Sequence, residues 1–272
     1  MTDNPGIYTQ SYFQHLHDVE ERHWWSLGMR DIADALIQQQ FGGRDDLDIL
    51  DAGCGTGITL GWLRQYSRHR PVEGIDVAPE ALNFCRARGH DQVRVGSVLD
   101  LPYPDAAFDL VVCHDVIQHV MDDVAGMREM GRVLRPGGAL LVRTNTKLAI
   151  GREKPADRDD YRMYTPGELR GKVAAAGLSL RQLSHVNALL SLPLIVKRYW
   201  RERKTPTYGD RGLPIRLLPP HLAWLTPVLR GTLRAEAAYL SNFSRSLPIG
   251  TAIVFLAEKA PEARRNTRSK RA

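Results

Sequence analysis

Cysteine is scarce in this chain of 272 residues: there are three, Cys54, Cys85 and Cys113, far apart in sequence. No CxxC pair or Cys/His cluster occurs, so neither a metal site nor a disulfide scaffold is expected. Long hydrophobic runs are missing too. The longest, ALLSLPLIV at 188–196, is nine residues with a serine and a proline inside it, too short to span a bilayer. The first residues are polar and mixed in charge, without the pattern of a signal peptide. No internal repeat is present. A cytoplasmic protein is the expectation. With 43% apolar and 25% charged residues, wholesale disorder is excluded. The length suits one α/β domain carrying an insertion.

The net charge of +6 is unevenly spread. Residues 1–150 hold 14 Lys and Arg against 21 Asp and Glu, and residues 151–272 hold 23 against 10. Two short runs, KRYWRERK (197–204) and RRNTRSKR (264–271), supply nine of the thirteen surplus charges of the second half. The basicity is therefore local.

Residues 1–42 read as helical, with Met29, Ile32, Ala33, Leu36 and Ile37 at helical spacing and Gly42-Gly43 as the stop. Then strands and helices alternate: strands at 47–51, 72–77, 92–98, 108–115 and 139–145, and helices after the first, at 79–89 and at 121–134. The turn Pro136-Gly137-Gly138 precedes the fifth strand. A polar loop (151–163), a helix (165–177) and a strand (178–186) follow, and GTAIVFLAEK (250–259) is a last strand. Such alternation means βαβ units and a Rossmann-like, mostly parallel sheet with helices on both faces. Residues 188–247 break the rhythm with six prolines and read as a helical insertion.

The strongest local signal is ILDAGCGTG (49–57), a buried strand ending in Asp51 and running into Gly53, Gly55 and Gly57. Glycines there permit a tight turn and close approach of a ligand to the next helix. Position 58 is Ile, where the dinucleotide fingerprint GxGxxG wants glycine, which disfavours NAD. Asp76 ends the second strand, where a carboxylate can accept hydrogen bonds from both hydroxyls of a ribose.

This combination resembles the class I S-adenosylmethionine-dependent methyltransferases. The blocks VGSVLDLPYPDAAFDLVVCHDVIQHV (95–120), LRPGG (134–138) and YRMYTPGELRGKVAAAGL (161–178) extend the likeness. EERHWWSLGMR (20–30) is similar to the amino-terminal HWW-type segment of a bacterial small-molecule subgroup, and SLPIGTAIVFLAEK to its closing pattern. The resemblance implies a seven-stranded sheet with an antiparallel last strand and S-adenosyl-L-methionine as cofactor. It divides the chain into an amino-terminal helical lid (1–44), a core (45–187 and 248–260), an insertion capping the acceptor side (188–247) and a basic, disordered tail (261–272).

Carried over residue by residue, Asp51, Gly53, Cys54 and Gly55 border the methionine part of the cofactor. Asp76 holds the ribose and Val77 lies on the adenine. Ser97, followed by Val98, stands where the family often has an acidic residue for the adenine amine. His114 lines the methionine end. From the lid, Tyr8, Tyr12, Trp25 or Arg30 would touch the cofactor, Arg30 at its carboxylate, while His15, His23 and Trp24 share the same crowded segment. Core packing is the plainer role for Trp24. Transfer to a hydroxyl or amine also needs a proton acceptor. His119 is the leading base, His114 the next. Asp115 would either orient a histidine or cap a helix.

The expected activity is O-methylation of a small-molecule or lipid-like acceptor in specialised, natural-product metabolism. The alternatives are N-, C- or RNA methylation, or a cofactor-binding partner subunit without catalysis. Nucleic acid is disfavoured: the fourth strand ends in CHDV rather than an Asn/Asp-Pro-Pro-aromatic sequence, and no RNA-binding module is appended. The insertion's apolar residues (Leu189, Leu190, Leu192, Leu194, Ile195, Tyr199, Trp200, Leu222, Trp224, Leu225) fit a hydrophobic acceptor or a homodimer contact. The apolar-then-basic run LPLIVKRYWRERK fits a peripheral membrane contact.

Overall fold

The structure is a computed structural model, described here for residues 9–147, 162–191 and 217–261. Tyr8, residues 151–161 of the polar loop, both basic runs and Leu192, Leu194, Ile195, Tyr199 and Trp200 lie outside these residues.

Seven strands form one sheet in the order β3-β2-β1-β4-β5-β7-β6. They are β1 (Ile49–Ala52), β2 (Glu73–Asp76), β3 (Val93–Val95), β4 (Phe108–His114), β5 (Leu134–Asn145), β6 (Ser179–Val186) and β7 (Ala252–Glu258). The strands run parallel except β7, which lies antiparallel between β5 and β6. The order reverses between β1 and β4, so their carboxyl ends open a cleft at the switch point.

The strand alternation assigns the two faces. Leu110 and Val112 of β4 join Leu141, Val254 and Leu256 in a core covered by α2 (Trp24–Phe41), α3 (Ile58–Leu63) and α7 (Leu225–Leu240). Val111 and Cys113 join Leu140, Val142, Ile253 and Phe255 under α5 (Asp123–Val133) and α6 (Pro166–Ala175). Helix α6 starts with a full capping box between Thr165 and Glu168 and has Pro166 in its first turn.

Three elements differ from the sequence reading. The amino-terminal helix is two helices, α1 (Gln10–Val19) and α2, separated by a turn at 20–23. His23 enters α2 in extended backbone, with φ −73° and ψ 122°. Strand β5 begins at Leu134, ahead of the Pro-Gly-Gly turn. Gly137 N–H donates to Lys259 O, and Lys259 N–H to Gly138 O, so the turn is absorbed as an irregular rung beside β7. The third difference is in the insertion, where α7 is a core helix. Its Leu233, Ala237 and Leu240 pack with α2, and Arg230 grips Asp31 of α2 with two bonds of 2.8 Å.

Glu236 of α7 is buried, and its carboxylate accepts the backbone N–H groups of Asn187 (2.7 Å) and Leu189 (3.1 Å). It thereby caps the helical stretch that begins at Ala188, directly after β6. Glu236→Ala unpairs those buried amides. A loss of about 2–3 kcal/mol is expected in urea unfolding, from the cost of unsatisfied buried donors, with Glu236→Gln losing about half as much.

Candidate active site at the carboxyl ends of β1 and β4

Asp51 and Ala52 close β1 inside the core. The chain then turns through Gly53, Gly55 and Gly57, all with positive φ (93°, 51° and 84°), into α3. The loop is strapped to β2: Gly53 and Cys54 N–H both donate to Ile75 O, at 2.8 and 2.9 Å. Asp76 fastens it further, accepting Gly55 N–H on one oxygen and Ala78 N–H on the other, each at 2.9 Å. Each oxygen keeps a second lone pair for a ligand.

Asp51 is different. It is 2% exposed, and its Oδ2 has no hydrogen-bond partner among the described residues. Burial and the neighbouring Asp76 push its carboxyl up to about 8, with Arg143 opposing. An orphaned, buried carboxyl beneath a glycine loop is suited to a positively charged ligand group.

The turn after β4 forms the other wall. His114 ends the strand, and its imidazole is driven well below the ordinary range by burial and by Arg143, so it is neutral. Asp115 has φ 58°. It caps no helix; α5 is capped by Asp122, which accepts Ala125 N–H. Asp115 instead accepts Arg143 Nε (3.0 Å) and Nη2 (2.5 Å). Val116 follows and seats against Gly53. His119 is half-buried and ends a one-turn helix, Ile117–His119. That turn is held from behind by Thr144, which donates to Gln118, and by Tyr164, which donates to Ile117 O and to Asp123.

The amino-terminal helices lie beside this end of the sheet. Phe13 of α1 packs on Ala78 and Ala81 at the start of α4 (Pro79–Ala87). Glu20 accepts a hydrogen bond from Thr56 in the glycine loop and pairs with Arg88 at 3.0 Å. Tyr12 of α1 is 45% exposed, and its phenol is raised by partial burial and by the charges of Asp115, Glu20 and Asp76. Trp25 lies under Arg143, 4.9 Å from guanidinium carbon to ring centroid. Trp24 packs on the core and stacks near His23. Arg30 is half-buried without a hydrogen bond or ion pair among the described residues, near Glu20, Asp31 and Asp34. His15 is exposed on α1.

Not every sequence-selected side chain faces the cleft. The Cys54 thiol is buried in the core, 3.8 Å from Cys85 Sγ, which leaves its backbone for the loop. Val98 packs in the core with Ile75, and Ser97 Oγ accepts its own chain's Leu99 N–H. Val77 is half-buried just beyond β2. Conversely, Arg143, Glu20, Thr56 and Arg88 went unnoticed in sequence. A cation inside the apolar strand ALLVRTN was the available signal for Arg143.

Comparison with known proteins bears on this geometry. The model of the methyltransferase domain family matches residues 50–142, which span β1 to β5 and hold the glycine loop, Asp76 and the β4 turn. This stretch of about a third of the chain is similar to a methyltransferase domain. The buried Asp51 carboxyl, with its Oδ2 unpartnered among the described residues, lies within that stretch. The chain is 32% identical over 165 residues to a Mycolicibacterium smegmatis protein named "Probable S-adenosylmethionine-dependent methyltransferase", covering 60% of this chain and 62% of that one. It is 32% identical over 155 residues to the ubiquinone biosynthesis O-methyltransferase of Xylella fastidiosa, covering 50% and 62%. The chain thus spans about three fifths of these relatives' length. Among solved structures, a chain of the complex between the Haloferax volcanii Trm112 methyltransferase activator and a methyltransferase matches with a TM-score of 0.55. The identity is 18%, over 93% of this chain and 96% of that one. At that identity the likeness concerns the fold of the methyltransferase domain alone.

Proposed function

We propose that this protein transfers a methyl group from S-adenosyl-L-methionine to an oxygen of a small-molecule or lipid-like acceptor, in the specialised metabolism of the cytoplasm. The observation that carries the cofactor part is the buried, unpartnered Asp51 carboxyl beneath the glycine loop, with Asp76 at the tip of β2. Asp76 would hold the ribose, with Val77 and Ser97 along the adenine. Arg30, which makes no ion pair among the described residues, would meet the cofactor's carboxylate. Among the described residues, no helix is long and apolar enough to cross a membrane.

When bound, the cofactor supplies a methyl group already activated by its sulfonium. The protein's part is to align the acceptor and exclude water. Tyr12 and Trp25 would close the lid side. His119 on the one-turn helix, or else the neighbouring His114, would accept the hydroxyl proton. Support for an apolar acceptor comes from Leu189, Trp224 and Val228, which expose 57%, 66% and 54% of their surface around the insertion. The name of the Xylella fastidiosa relative supports transfer to oxygen.

The test is calorimetry with S-adenosylhomocysteine. Wild type is expected to bind at micromolar concentration, and Asp76→Ala to lose at least tenfold in affinity, since it frees Gly55 as well as the ribose. Unchanged binding would sink the assignment of Asp76. Labelled cofactor and fractionated extract then identify the acceptor; label in RNase-sensitive material would overturn the small-molecule reading.

A further inference from the structure

Arg143 is a cation at the end of the apolar run of β5, its side chain 15% exposed, and it touches two parts of the site at once, the β4 turn and the lid. Its backbone carbonyl accepts Asp115 N–H at 2.8 Å, and its side chain binds the Asp115 carboxylate through two nitrogens. Its flat face lies on Trp25 of the lid. Those bonds hold Asp115 in a left-handed backbone conformation that non-glycine residues seldom adopt. The next residue, Val116, is the one that seats against Gly53.

We propose that Arg143 is a positioning residue for the cofactor: clamped between Trp25 and Asp115, it shapes the floor under the glycine loop and sets a positive charge near the Asp51 carboxyl that would meet the cofactor's ammonium. This rests on the methyltransferase reading and deepens it. The groups facing Asp51 are Asp76 from β2, Arg143 from β5, Cys113 from β4 and Cys54 from the loop. Tyr12 of α1 faces Asp76 and Asp115. Arg143 is the cation in this set, and its effect on Asp51 opposes that of burial and of Asp76. Its side chain is bonded to the Asp115 carboxylate, so the two acidic residues share one guanidinium. Removing Arg143 raises the pH at which Asp51 ionises; removing the Asp115 charge frees Arg143 and lowers it.

The experiment measures S-adenosylhomocysteine affinity at pH 6.5, 7.5 and 8.5 for wild type, Arg143→Met and Asp115→Asn. Asparagine tolerates the left-handed conformation, so the turn is preserved. At pH 6.5, Arg143→Met is expected to bind at least tenfold more weakly than wild type, with a steeper gain in affinity toward pH 8.5. Asp115→Asn is expected to show a shallower gain than wild type. Opposite changes of slope are the signature, because a merely structural lesion lowers affinity at every pH alike. Equal slopes in all three proteins overturn the proposal. If Arg143→Met does not fold, the slope of Asp115→Asn decides it alone. A wild type that binds no S-adenosylhomocysteine overturns the cofactor reading itself.

Discussion

Gly53→Ala is expected to bind S-adenosylhomocysteine at least a hundredfold more weakly than wild type and to melt at lower temperature. Two costs add. The residue has φ 93°, where an L side chain is strained, by about 1–3 kcal/mol. A methyl group there would also fall inside the Val116 side chain, and overpacking of that kind costs about 1–3 kcal/mol. The loop and the β4 turn cannot both stay in place, and both line the cleft. Gly55→Ala is the control. Its Cβ would meet nothing within 4 Å, and φ is 51°, so about 1–2 kcal/mol of backbone strain is the expected penalty. Calorimetry and thermal melts on the pair check this. Equal affinities for the two variants would mean that the packing of Val116 on Gly53 has no part in shaping the site.

The second large effect is expected far from the cofactor. Gly28 of α2 faces Leu233 of α7, and a methyl at residue 28 would lie 2.6 Å from Leu233 Cβ and closer still to its Cδ1. Alanine is the better helix former by about 1 kcal/mol, yet Gly28→Ala is expected to cost about 2–3 kcal/mol net because the helices must separate. Leu233 is wholly buried, so Leu233→Ala alone is expected to cost about 2–5 kcal/mol. The double variant should be less destabilised than the sum, by about 1–2 kcal/mol. Strict additivity in urea melts would disprove the close approach.

These two glycines show where sequence reasoning succeeds and where it stops. Gly53 was legible because a strand, an acidic residue and three spaced glycines make a local pattern. The same holds for β1 to β5, whose apolar runs and turns are contiguous in the chain. Gly28 was not legible: its partner lies some two hundred residues away, and a small residue in a helix carries no sign of what crosses it. The same reason hid α7, which sequence rhythm assigned to an insertion although Leu233, Ala237 and Leu240 belong to the core. At the site, Asp51 and Asp76 were visible by position. Arg143 was visible only as an oddity, because its partners come from α2 and the β4 turn. In sequence Asp115 reads as a cap or as a histidine's partner, and only the register of β4 beside β5 pairs it with arginine.

The place of β7 between β5 and β6 has a consequence for how the chain acquires its structure. Among the described residues, β6 joins the ladder of strands only through β7. A nascent chain that has reached residue 250 therefore carries β5 with an open edge and β6 with nowhere to attach. The apolar run of β5, with its edge unpaired, is able to pair with a neighbouring chain. Synthesis at about 5–20 residues per second leaves that state exposed for several seconds after β5 emerges. Folding of the sheet is thus closed late, by one antiparallel strand inserted between two waiting partners. Chaperone dependence and co-translational aggregation should track the length of the segment between β6 and β7.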